Sequence, residues 1–166
     1  MNTKIIAILI IGVLFIGSFG AVVSKPSNIV YKRDTISVSN VNIADKGGYI
    51  EFHIEGETSR LMETGKPVLP VITKIYTFPL GTEINDISVK YNVKPYKLDA
   101  KIQPAPRALP ILPDLPDELL QPVKPDETVY NSDKLYPSDP YEIELKAGLY
   151  KGEHTLYVIV HCYTQY

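Results

Sequence analysis

The sequence predicts an all-β domain, an antiparallel β-sandwich or jelly roll, set behind an N-terminal export signal. Three observations carry that expectation. Short runs of alternating apolar and polar residues recur along the chain, with turn residues between them. The 14 prolines are too many for long helices downstream of the signal. Beyond the first two dozen residues no apolar pattern follows a helical period, and no internal repeat is visible.

Residues 1–24 read as a signal peptide. Lys4 supplies a positive charge ahead of the apolar run Ile5–Phe19. The small residues Ser18, Gly20, Ala21 and Ser24 offer cleavage sites, with Gly20 or Ser24 as the last residue removed. The alternative is an uncleaved anchor, because residues 5–23 approach the length that spans a bilayer. Small residues from Gly17 onward favour cleavage. The expected location is secreted or at the cell surface, with membrane contact only transient, through the signal.

About 140 residues remain, enough for one domain with its own core. The formal net charge of −2 includes no basic field for nucleic acid and no polybasic run for an anionic membrane. Cys162 is the single cysteine, so no internal disulfide can form and the core must supply the stability. A lone thiol in an exported domain is expected to be buried.

The elements follow in order. Residues 25–34 form a polar lead-in to the domain at 35–166. Residues 35–43 alternate, but the phase slips between Val38 and Val41, which predicts a bulge or break. After a turn at Asp45-Lys46-Gly47-Gly48, residues 49–54 place Ile50, Phe52 and Ile54 on one face and Glu51 and His53 on the other, completing a hairpin. Residues 56–64 connect it to a strand at 71–79 framed by Pro70 and Pro79; the phase of Ile72 relative to Ile75 is open. Residues 86–93 carry Ile87, Val89, Tyr91 and Val93 on one face, and residues 96–102 continue as a shorter strand.

Residues 104–125 differ in kind. Prolines at 104, 106, 110, 113, 116, 122 and 125 predict an extended surface loop, partly polyproline II, with room for one helical turn at 117–121. A connection this long inside a domain is usually functional or disordered. A turn-rich link at 128–137 leads to a strand at 141–147, a turn at 148–152 and a last strand at 154–163.

The chemistry-bearing residues make no catalytic set. His161 and Cys162 are neighbours in one strand and point to opposite faces, which predicts a buried Cys and an exposed His. His53 and His154 stand far off without metal-ligand spacing. Asp114, Asp117 and Glu118 lack the order of a calcium loop. No phosphate loop or nucleophile elbow is present. No catalytic residue, metal ligand or cofactor is therefore expected. Arg107 and Lys124 each place a single cation on proline-stiffened backbone, a geometry that a peptidase cleft accepts; solubility alone also accounts for them.

Four segments, in order, resemble the propeptide of gingipain-type cysteine peptidases. They are Gly65-Lys66-Pro67-Val68-Leu69-Pro70 leading to Ile75, Pro79 and Gly81; Ile87-Ser88-Val89 followed by Ile102-Gln103-Pro104-Ala105-Pro106; Tyr130-Asn131-Ser132-Asp133-Lys134-Leu135-Tyr136-Pro137; and Leu149 to Gly152 followed by Val158-Ile159-Val160. The resemblance covers about residues 60–166 and marks Gly65, Pro67, Leu69, Pro70, Pro79, Tyr130, Pro137 and Gly152 as its structural positions. It implies an N-terminal β-sandwich that assists folding of a cysteine peptidase catalytic domain, in cis or in trans, and masks its active site. It also implies a basic residue in the specificity pocket, here Arg107 or Lys124. The chain departs from the family in loop length and proline content, and His161 stands where a proline is usual. It stops at Thr164-Gln165-Tyr166, where the family turns into a further strand and then the catalytic domain, so truncation is expected and no catalytic residue carries over.

A surface module for adhesion or for carbohydrate or protein binding is the second expectation, because the 12 tyrosines could stack on a partner. Tyrosines clustered on one sheet face would favour it; tyrosines shared between core and loops would favour the prodomain.

Overall fold

The computed structural model describes residues 5–19, 29–38, 40–111 and 113–166. Lys4, Gly20, Ala21 and Ser24 of the expected signal lie outside the described residues. The fold is all-β and antiparallel. The strands are β1 (Ile5–Phe19), β2 (Ile29–Ile36), β3 (Val41–Asp45), β4 (Ile50–Ile54), β5 (Ser59–Leu61), β6 (Leu69–Pro79), β7 (Thr82–Lys97), β8 (Tyr141–Tyr150) and β9 (Glu153–Tyr163). Two single helical turns, α1 (Asp117–Leu120) and α2 (Glu127–Tyr130), lie between β7 and β8. The ladders run β2-β1-β7, β3-β4 and β5-β6-β9-β8.

The apolar run expected as the heart of the signal forms the middle strand of the first ladder. Its register with β7 extends from Ile5 opposite Lys97 to Phe19 opposite Thr82, with one shift at Ile16/Gly17. Its register with β2 extends from Ile11 opposite Ile36 to Ser18 opposite Ile29. A continuous Ile- and Val-rich run is also the pattern of a strand paired on both sides. The lead-in expected at 25–34 is corrected from residue 29 onward, where it belongs to β2. Its Lys32, Arg33 and Asp34 hid the strand, yet Asp34 accepts a hydrogen bond from the Tyr76 hydroxyl at 2.8 Å, and Lys32 lies 4.8 Å from the centre of the Tyr76 ring.

The β3–β4 hairpin forms as its alternation requires. Ile50, Phe52 and Ile54 are buried while Glu51 and His53 face outward. Gly47 and Gly48 both have positive φ, and the Asp45 carboxylate accepts from the Gly47 N–H at 2.9 Å. The phase slip between Val38 and Val41 marks the passage from β2 to β3.

In β6, Ile72, Tyr76 and Phe78 join the core and Ile75 is exposed, which settles the phase of Ile72. The separate strands expected at 86–93 and 96–102 are corrected: β7 runs unbroken for 16 residues. Pro95 is tolerated because β7 is an edge strand. Residues 98–102 then leave the ladder, and Leu98 and Ile102 turn into the core. Val93, Tyr91 and Tyr96 are exposed, so only the first half of β7, through Ile84, Ile87 and Val89, packs against the core.

Phe52, Leu69, Ile102, Tyr130, Val158 and Val160 are the fully buried centre. Ile36 of β2 belongs to the same apolar cluster, and the Tyr91 and Tyr141 rings, 6.2 Å apart, link β7 to β8. Truncating Phe52 to Ala should cost about 3–5 kcal/mol. Among the described residues no helix is long and apolar enough to cross a membrane.

Candidate functional site: a long loop pinned at Gly65

The proline-rich segment leaves the core at Ala105 and returns at Asp126, and both points are fastened to Gly65. Gly65 N–H donates to Ala105 C=O at 2.9 Å, and Ala105 N–H donates to Lys66 C=O at 2.8 Å. Asp126 N–H donates to Gly65 C=O at 2.8 Å. Residues 106–125 are thus an Ω-type excursion with a closed neck. Among the described residues of that excursion, backbone pairing is confined to the single turn of α1.

Gly65 is required at the neck for two reasons. Its φ is +81°, and a Cβ there would stand 3.1 Å from the backbone oxygen of Lys124. Pro67, fully buried, bridges to Pro104, and Val68 N–H donates to Gln103 C=O at 3.0 Å. Leu69 and Pro70, both buried, then start β6, and Pro79 ends it.

The return leg is anchored by α2. The Asp126 carboxylate caps it, accepting from the Thr128 N–H at 2.9 Å and hydroxyl at 2.6 Å, and these bonds hold its pKa below the usual value. Tyr130 is buried, its hydroxyl donates to Ile102 C=O at 2.7 Å, and the Tyr166 ring packs edge-on at 5.5 Å. Burial raises the Tyr130 phenol above its ordinary value and pushes Tyr166 up to about 12. Tyr136 exchanges backbone bonds with Tyr166 at 2.9 and 2.7 Å, ahead of a cis Tyr136–Pro137 bond. Glu63 pairs with Lys66 and accepts from the Tyr136 hydroxyl at 3.0 Å; the Lys66 bond is the chief cause of its lowered pKa. Gly152, at φ +84°, turns β8 into β9 away from this neck.

Of the two cations expected as exposed baits, Lys124 is exposed and Arg107 is half-buried. The Arg107 Nε is enclosed and has no hydrogen-bond partner among the described residues. Both stand close to the neck. The outer part of the loop instead exposes Leu109, Leu120 and, completely, Ile111.

Sequence reasoning missed a charged cluster beside the outgoing leg. The Arg60 guanidinium reaches Glu51 and Glu57, each at 3.3 Å, and donates to Phe52 C=O at 3.4 Å. His53 touches Arg60 and lies 3.1 Å from Glu57. For Glu57, burial raises the pKa, but bonds from His53 and the Ile54 N–H outweigh it and the net shift is downward. The Lys46 hydrogen bond is the main cause of the lowered Glu51 value. The cluster borders a cleft of about 330 Å³ floored by Phe52 and Ile102 and edged by Met62 and Pro106. Its one sequence signal was Glu51 and His53 on the wet face of β4. It ties β4 to β5.

Cys162 is buried, and burial pushes its thiol up to about 12, so it is a poor nucleophile at neutral pH. His161, expected exposed, is half-buried, with Nδ1 3.0 Å from the Thr73 hydroxyl. Among the described residues no group of His, Cys, Asp and Glu side chains converges as a metal site. No family model matches the chain, and no curated protein or solved structure matches it.

Proposed function

We propose that this chain is the secreted prodomain of a gingipain-like cysteine endopeptidase precursor, a folding assistant and steric inhibitor whose catalytic domain lies outside it. The observation that carries the reading is the closed neck at Gly65, which ties both ends of residues 106–125 to one point on the β scaffold. Fixing both ends and stiffening the chain with prolines lowers the ordering cost of entering a cleft. Of the eight motif positions, Gly65, Pro67, Leu69, Pro70, Tyr130 and Pro137 build the neck or its immediate support, while Pro79 and Gly152 lie away from it. In this reading the scaffold is a β-sandwich, with β2 and β7 over β5-β6-β9-β8 once β1, the strand of the expected signal, is removed. The shared cluster of Ile36, Ile87, Val158 and Val160 supports that arrangement.

Refolding tests the assistant role. A denatured gingipain-type catalytic domain is diluted with and without the folded chain, and recovered activity is measured after the chain is digested away. The expected result is a higher yield with the chain; equal yields would contradict that role.

A surface-binding module is the second reading, favoured by exposed Tyr31, Tyr91, Tyr96 and Tyr150. Tyr31, Tyr91 and Tyr96 share the β2-β1-β7 ladder, where Tyr91 and Tyr96 differ in parity and face opposite sides, and Tyr150 ends β8; Tyr76, Tyr130 and Tyr166 serve the core. That dispersal supports the prodomain over a stacking platform. Saturable binding on a glycan array would reverse the preference.

A further inference from the structure

The outer loop carries a short pattern of its own. Residues 109–117 read Leu109-Pro110-Ile111, Leu112-Pro113-Asp114, Leu115-Pro116-Asp117, a leucine-proline pair repeated at three-residue spacing. Resting on the prodomain reading, we propose that Leu109 and Ile111, not Arg107 or Lys124, enter the peptidase cleft, and that the pocket they fill takes an aliphatic side chain.

The two cations are poorly placed for insertion. Arg107 lies two residues beyond the pinned Ala105, half-buried with its Nε enclosed. Lys124 lies two residues before the pinned Asp126, with its backbone oxygen against Gly65. Neither can move far from the scaffold while the neck is closed. Leu109 is exposed and Ile111 is fully so, and both would leave water on docking.

The prolines explain how such a segment could occupy a cleft without being cut. With Leu109 in the primary pocket, the bond presented for cleavage joins Leu109 to Pro110. That bond is a tertiary amide, its nitrogen carries no N–H, and the ring fixes φ beyond it. Leu112 and Leu115 precede Pro113 and Pro116 in the same way, so a shift of one triplet meets the same obstacle. The charged residues between Arg107 and Lys124 are Asp114, Asp117 and Glu118, all acidic. They match a cleft whose rim is basic beside an apolar pocket.

The test uses two secreted cysteine peptidases assayed on small synthetic substrates, one that accepts Leu before the cleaved bond and one that accepts Arg or Lys. Four proteins are titrated against each: the full chain, Leu109→Asp/Ile111→Asp, Arg107→Ala/Lys124→Ala, and Pro110→Ala. Near-ultraviolet tyrosine dichroism confirms that each is folded. The full chain should inhibit the Leu-accepting enzyme. The aspartate pair should weaken inhibition by at least about tenfold, the alanine pair should leave it unchanged, and Pro110→Ala should be hydrolysed after Leu109. Inhibition lost in the alanine pair but retained in the aspartate pair would overturn the aliphatic assignment and leave the prodomain reading standing. Inhibition indifferent to both pairs would also overturn it, moving the contact off the loop. No inhibition of either enzyme by the folded chain would remove the prodomain reading, and this inference with it.

Discussion

Gly65 combines a left-handed φ with a close backbone approach to Lys124. Replacing it with Ala should cost at least about 1–2 kcal/mol from the conformation alone, with more from the clash, since the obstructing atom is backbone. A lower urea midpoint and faster proteolysis of residues 106–125 are the expected outcomes. Tyr130→Phe leaves the Ile102 carbonyl without its donor and should cost about 1–3 kcal/mol, measured by equilibrium unfolding. Both positions stand among those named for the resemblance, but the turn geometry of one and the burial of the other are visible only in the fold. The enclosed Arg107 left no such trace: whether a cation near a proline is free depends on what folds over it. The same holds for His161, whose strand parity predicted its direction but not the Thr73 neighbour that partly covers it.

At the scale of elements, strands with one wet face were the most legible. The alternation in residues 49–54 specifies both the β3–β4 hairpin and its buried face. Strands paired or charged against that simple pattern were not legible. β2 was masked by Lys32-Arg33-Asp34, and β7 by Pro95, which reads as a stop although an edge strand admits it. The loop was legible as a loop, but its closed neck was not, because that closure joins Gly65 to Ala105 and Asp126, 40 and 61 positions away. Limited digestion should separate these cases. An elastase-type peptidase should cut first near the exposed Ala108–Ile111 stretch, while trypsin should spare the Lys124–Pro125 bond. The two fragments should co-elute on gel filtration, since strands β6 and β9 from opposite sides of the cut pair along their lengths. First cuts within β6 or β9 would contradict the pinned-loop geometry.

For the whole molecule, charge and burial set a pH window. Asp34, Glu57 and Glu63 have folded pKa values below their ordinary ones, so the unfolded chain takes up their protons first. Their stabilising contribution is present above about pH 4.5, the ordinary glutamate value, and is lost as pH falls through the lower folded values. Tyr76, Tyr130 and Tyr136 are shifted upward, so their contribution is present below pH 10.0, their ordinary value, and is lost as pH rises through the folded values. Thermal midpoints should therefore decline on both sides, and the buried phenols should ionise only together with unfolding. The position of β1 sets a second whole-molecule expectation. A chain cut after Gly20 or Ser24 has no strand between β2 and β7. In it, amide hydrogens of β2 and β7 should exchange faster than in the uncut chain, while those of β6 and β9 stay protected.

The proposed block of a cysteine peptidase by the scaffolded loop is tested by direct titration of the enzyme. The folded chain is added in steps to a gingipain-type catalytic domain, and residual hydrolysis of a small substrate is followed to saturation. The expected result is a saturable, substrate-competitive loss of activity that disappears when residues 106–125 are replaced by a short glycine-serine link across the neck. Full activity at every concentration of folded chain, across gingipain-type enzymes of differing specificity, would contradict it.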